Sequence, residues 1–173
     1  MGVSGCGKST VAARLTASTG RSHFDADDLH PAMNVARMSA GIPLTDEDRW
    51  PWLDLVGRRA AESDGSVVAC SALKRIYRDR LRLAAPATVF IHLSGAPALI
   101  RRRMTTREGH FMPQSLLSSQ LNALEPLEED ELGSAVDITD PVDAIVARAR
   151  VVVLQFSREI SRPPARQGRD ARS

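Results

Sequence analysis

Residues Gly2-Val3-Ser4-Gly5-Cys6-Gly7-Lys8-Ser9 match the pattern G-x-x-x-x-G-K-[ST] at every defined position, and no other feature constrains the fold as much. Glycines at these positions let the backbone turn so that Ser4, Gly5, Cys6 and Gly7 aim N–H groups inward at an anion, while the helix that follows points its positive dipole end at the same charge. Cys6 reads as a small spacer within this loop. In such loops the lysine, here Lys8, meets the β- and γ-phosphates, and the hydroxyl after it, here Ser9, takes Mg²⁺. Thr10 extends the same helix start. The pattern therefore predicts a nucleoside triphosphate together with Mg²⁺.

The rest of the chain reads as an α/β domain. Short β-rich runs, "RSHFD", "SVVAC", "ATVFIHL" and "AVDIT", alternate with amphipathic stretches, as in a parallel sheet covered by helices on both faces. Thr45 with Asp48 three residues on suggests a capping box, and Pro51 either kinks that helix or opens its main section. Pro97 opens a helix running through Arg107, "SLLSSQLNALE" forms another, and "PVDAIVARARVVVLQF" closes the domain. A loop of this kind hangs from the end of a buried strand, yet only Met1 precedes Gly2. We therefore expect a further run of roughly 5–15 residues upstream, by analogy with ordinary strand lengths.

Composition narrows the setting. In 173 residues, 43% hydrophobic and 25% charged, two cysteines exclude a disulfide scaffold, and no apolar run is long enough to span a bilayer. A reducing, cytoplasmic setting without membrane attachment is expected. The formal charge of +2 is concentrated after Ser157, where five arginines face two acids, leaving residues 1–156 at −1. We thus expect a domain over 1–156 and a solvated basic tail over 157–173. No aromatic platform accompanies those arginines, so no nucleic-acid partner is expected.

Beyond the loop, Asp25 and Asp27 stand just past the first of these runs, at the carboxyl edge where parallel sheets present ligand groups. Their alternate spacing leaves two roles open: one acid orienting Mg²⁺ through water, the other taking the proton of an attacking hydroxyl. Ser71 and Lys74 follow "SVVAC" at the same edge, and Arg78 lies one helical turn beyond Lys74. Arg103 and Arg107 share a helix face ahead of Gly109 and Pro113, as cations of a closing lid over about 104–113 would. Pro141 stands in the loop after the last strand, where a nucleotide base would lie.

"MGVSGCGKST", "FDADDLHPAMNVARMSAGIPLTDEDRWPWL", "VVACSALKRIYRDRLR" and "REGHFMPQSLLSSQLNALEPLE" together resemble the gluconokinases, specifically the thermoresistant gluconokinase family of small P-loop carbohydrate kinases. The resemblance runs in order from Met1 to about Ala149; Ala26 stands where the family often has glycine. It implies an adenylate- or shikimate-kinase-like core of five parallel strands, the first truncated here, and commonly a homodimer. It implies phosphorylation of D-gluconate to 6-phospho-D-gluconate by MgATP, which would feed gluconate into the pentose phosphate pathway. On this resemblance Asp27 is the general base and Asp25 holds Mg²⁺ through water. His30, Asn34, Ser71, Lys74, Arg78, His110 and Gln120 are the expected substrate contacts. The alternatives are another small-acid kinase of the shikimate-kinase type, or a nucleotide-binding protein impaired in catalysis.

Overall fold

A computed structural model of the chain describes residues 1–17, 19–63, 65–105 and 114–160, with the side chains of 114–116 and 159 left out. The expected alternation is present. Helix α1 (Lys8–Ala17) follows the glycine-rich loop, strand β1 (His23–Asp25) leads through a 3-10 turn at Ala26–Leu29 into α2 (Ala32–Ser39), and α3 (Asp46–Ala61) precedes β2 (Val67–Ala69). Then come α4 (Arg75–Ala84), β3 (Phe90–Ser94), α5 (Pro97–Thr105), α6 (Gln114–Ala123), β4 (Gly133–Asp137) and α7 (Val142–Ile160).

Local chemistry explains most boundaries. The capping box at α3 is present: Thr45 accepts from the Asp48 N–H while the Asp48 carboxylate accepts from the Thr45 N–H. Pro51 lies inside α3, which runs through it with Trp52, Leu53, Val56 and Gly57 buried. Bare Gly57 lets α4 approach closely, since a Cβ there would stand 3.1 Å from Ala84 Cβ. Helix α7 continues to Ile160, four residues past the expected end of the domain, and α2, unforeseen from the sequence, fills the stretch after His30.

The strands form two parallel pairs, β1–β2 and β3–β4. In the second, Phe90 to Ser94 register with Gly133 to Asp137. Only glycine fits at 133, because a Cβ would come within 2.2 Å of the Phe90 carbonyl oxygen. Four strands are thus present among the described residues where five are expected. Between the pairs, Met1 donates from its amino group to the Ile91 carbonyl, and its own carbonyl accepts from the Leu93 N–H at 3.0 Å. Those two bonds are the signature of a parallel bridge to β3. On the other side, Gly2 N–H donates to the Ser71 carbonyl, just past β2, at 3.0 Å. Behind this bridge, β2 and β3 face one another across an apolar groove of about 1060 Å³, floored by residues such as Val11, Val68, Ile91 and Leu154.

Two apolar clusters hold the halves. One joins Val3, Cys6 and Val11 to Leu93, Ile100, Val136 and Ile145; the other joins Ala26, Trp52, Leu53 and Val56 to Ala72, Tyr77, Leu81 and Phe90. No helix among the described residues is long and apolar enough to cross a membrane.

The facing edges of β2 and β3 are not paired with one another, and residues of both line the groove between them. A chain extended before Met1 by a Val/Ile segment of about five residues is expected to melt at least about 5 °C higher, since one kcal/mol moves a domain of this size by about 2–4 °C. Thermal unfolding followed by circular dichroism checks it; an unchanged midpoint shows that the groove does not take a strand.

Candidate functional site

A cleft opens where the loop before α1, the end of β1, the start of α3 and the turn after β2 meet. Its walls include Ser4, Gly5, Gly7, Lys8 and Ser9 on one side and Asp25, Asp27, His30, Arg49, Trp52, Ser71 and Tyr77 on the other. Met38, Leu44, Leu73 and Gln120 complete the lining.

The glycine-rich loop takes the form its sequence demands. Gly2, Gly5 and Gly7 have φ of 135°, 81° and 102°, in the region that L side chains rarely enter. At Gly5 a side chain would also strike Met104, 2.5 Å from the added carbon. Lys8 folds back over the loop, its Nζ donating to the Val3 carbonyl at 3.2 Å. Cys6 is buried, as a spacer should be. Thr10, on the first turn of α1, is exposed and outside the cleft wall.

The two acids differ in setting. Asp25 caps the 3-10 turn by accepting from the Asp27 N–H at 3.1 Å, and its other oxygen accepts from the Ser9 hydroxyl at 2.6 Å. This pair of hard oxygens at the mouth of a phosphate loop has the donor chemistry that would suit Mg²⁺, the Ser9 hydroxyl lying one hydrogen bond from Asp25. The Asp27 carboxylate is half exposed and faces the cleft, with His30 Nε2 4.0 Å away. Ala26 between them is buried, and its carbonyl accepts from Trp52 Nε1 at 2.7 Å.

His30 stacks on Trp52 with ring centroids 4.2 Å apart, its side chain 5% exposed. Burial, then the positive charge of Arg49, pushes its pKa down to about 4. The ring is neutral at physiological pH, and its buried Nδ1 has no hydrogen-bond partner among the described residues.

Several expected contacts lie elsewhere. Arg78 is not a substrate contact: it is fully buried, pairs with Glu131 at 2.6 and 2.8 Å, and donates to the carbonyls of Ala72, Leu73, Glu125 and Pro126. All its polar capacity is spent inside the protein. Asn34 is likewise buried, donating to the Asp48 carbonyl at 2.8 Å, which ties α2 to α3. Lys74 sits outside the cleft wall, held by both oxygens of Asp46 at 2.8 and 2.9 Å. Hydrogen bonds from Lys74 and from the Tyr77 hydroxyl keep the Asp46 carboxyl below its ordinary range.

Ser71 and Gln120 do line the cleft, but both also serve the loop. Ser71 accepts from Gly2, and Gln120 Oε1 accepts from the Ser4 N–H at 2.6 Å. Arg103 reaches toward the β4–α7 connection, donating to the Ile138 carbonyl at 2.7 Å, and Pro141 is exposed where α7 begins. Arg107 and His110, with most of the expected lid, lie outside the described residues. The sequence reading missed Arg49, Trp52 and Tyr77. The first two sit in the quoted "DEDRWPWL", where spacing from the Thr45 cap puts Arg49 one turn into α3.

A family profile described as an AAA domain matches residues 1–127. The chain is 41% identical to the thermosensitive gluconokinase of Escherichia coli (strain K12) over 159 residues, 89% of this chain and 85% of that protein. It is 47% identical over 135 residues to a gluconokinase of Gluconobacter oxydans (strain 621H), covering 76% of each. A crystal structure of a gluconokinase from Sinorhizobium meliloti 1021 superposes with a TM-score of 0.85 at 45% identity, covering 92% of both chains.

Two measurements follow from this site. Nuclear magnetic resonance should show the His30 ring neutral down to about pH 5. Because the unfolded chain takes up this proton near pH 6.5 and the native one only near pH 4, stability should fall as pH drops through that window, and His30→Gln should flatten part of the slope. Glu131→Gln, which strands the buried Arg78 charge, should cost about 3 kcal/mol or more in urea unfolding. A loss below about 1 kcal/mol would show that the pair is not the framework described.

Proposed function

The chain belongs to the gluconokinase family of P-loop kinases, and on that premise we infer that it phosphorylates D-gluconate with ATP to give 6-phospho-D-gluconate. The observation that carries the reading is a single cleft holding a complete phosphate loop on one wall and the Asp27 carboxylate on the other.

The chemistry is an in-line displacement. The terminal hydroxyl oxygen of gluconate forms a bond to the γ-phosphorus, the bond from that phosphorus to the bridging oxygen breaks, and ADP leaves. Asp27 accepts the hydroxyl proton. Lys8 and the loop N–H groups neutralise charge on the β- and γ-phosphoryl oxygens, with Arg103 and Arg107 as further cations for the same charge. Mg²⁺, when bound through the nucleotide, would be held by Ser9 with Asp25 orienting its water shell, and would neutralise phosphate charge. Gly2 to Gly7 shape the phosphate site, with Thr10 behind them on the first turn of α1, and Pro141 borders the base. His30, Ser71 and Gln120 present polar groups to the polyol, and His110 is retained as a further substrate contact on the family resemblance. The enzyme works as a cytoplasmic homodimer on this reading, which a solution mass near twice 18.8 kDa would check.

The deciding experiment is gluconate-dependent ADP formation, measured against a panel of sugar acids and shikimate. Preference for gluconate is expected; equal turnover of every acid, or ATP binding without transfer, overturns the reading. Asp27→Asn should lower kcat about 10²–10⁴-fold, the usual range for a lost general base, while the KM for MgATP changes by less than about threefold. An unchanged kcat removes Asp27 from that role.

A further inference from the structure

Resting on the gluconate-kinase reading, we propose that Arg49 is the anchor for the substrate carboxylate, and so the residue that selects an acid over a neutral polyol. Gluconate carries its charge at the end of the chain opposite the hydroxyl that attacks. With that hydroxyl at Asp27, the carboxylate must lie on the acceptor side of the cleft, away from the phosphate loop.

Few cations are placed to meet it. Arg78 is buried against Glu131, and Lys74 is chelated by Asp46. His30 is neutral. Among the described residues that line the cleft, the remaining cations are Lys8, on the phosphate loop, and Arg49.

Arg49 is held ready for a planar anion. Its Nη1 donates to the carbonyls of Leu44 and Thr45 at 2.5 and 3.1 Å and to the Tyr77 hydroxyl at 3.3 Å, with the guanidinium 5.4 Å from the Tyr77 ring centroid. All of these bonds leave from one nitrogen, so Nε and Nη2 have no protein acceptor among the described residues. That leaves one edge of the fork for a bidentate carboxylate. Asp46 does not cancel it. Its nearest oxygen is 3.9 Å from Arg49 Nη1, and it already pairs with Lys74, so the three groups together keep one positive charge. The same charge acts across the cleft, being one of the two causes that hold His30 neutral.

The test compares Arg49→Gln, Arg49→Lys and Lys74→Gln in the full chain, with KM and kcat for gluconate, KM for MgATP, and turnover of D-glucitol, the neutral analogue. Arg49→Gln should raise the gluconate KM about 10–100-fold, as loss of a charge-assisted pair does, with the MgATP KM unchanged and the preference for gluconate over D-glucitol reduced by a similar factor. Arg49→Lys should fall between, keeping the charge but not the fork, and Lys74→Gln, which frees Asp46 to draw on the Arg49 charge, should raise the gluconate KM by clearly less than Arg49→Gln does. Should Arg49→Gln fail to bind MgATP, Arg49→Lys decides by the same KM split. A parent that turns over gluconate while both Arg49 variants keep its KM, or a Lys74→Gln effect equal to that of Arg49→Gln, overturns the assignment and leaves the kinase reading standing. A parent with no gluconate turnover overturns both.

Discussion

The buried guanidinium of Arg78 sets the geometry on which the site depends. One side chain gathers four carbonyls from two distant stretches, Ala72 and Leu73 after β2 and Glu125 and Pro126 after α6, while Glu131 balances its charge. The Glu125 N–H adds a bond of 2.8 Å to the Leu73 carbonyl. This clamp holds a turn in which Ala72 adopts φ of 43°, a conformation that a residue with a Cβ enters at a cost. The turn in turn presents the Ser71 carbonyl to Gly2, so the phosphate loop is registered against a cation that never meets the nucleotide.

Charge in the cleft is arranged by division of labour rather than by excess. Several arginines are bound by carboxylates: Arg37 by Asp48, Arg75 by Asp79 and Asp130, Arg80 by Asp54. The near-neutral total for residues 1–156 reflects this pairing. A cation acts on a ligand only where the pairing is incomplete, as around Asp46, or where a loop replaces the carboxylate, as at Lys8.

Local patterns were legible where one short stretch carries the whole signal. The phosphate loop, the Thr45–Asp48 box and the runs that became β1 to β4 are of this kind. Ser9 and Asp25 were also readable, because the strand-edge rule places an acid beside the loop. The misreadings of Lys74 and Arg78 have a common physical cause. Spacing puts both on one face of α4, but whether a cation is available depends on Asp46 and Glu131, which are distant in sequence. Arg49 was missed for the converse reason. It lies on a helix face whose partners, Tyr77 and the walls of the cleft, come from other elements. Helix α2 escaped notice because its apolar residues are largely exposed, leaving no clear buried stripe to detect.

The bond between Gln120 and the Ser4 N–H gives nucleotide binding an unusual accounting. A phosphate oxygen that takes this N–H does so by exchange, since the donor already has a partner on α6. The affinity measured for ATP is then a difference between two occupants of one amide. A released Gln120 would couple that exchange to α6, the helix that follows the expected lid in sequence.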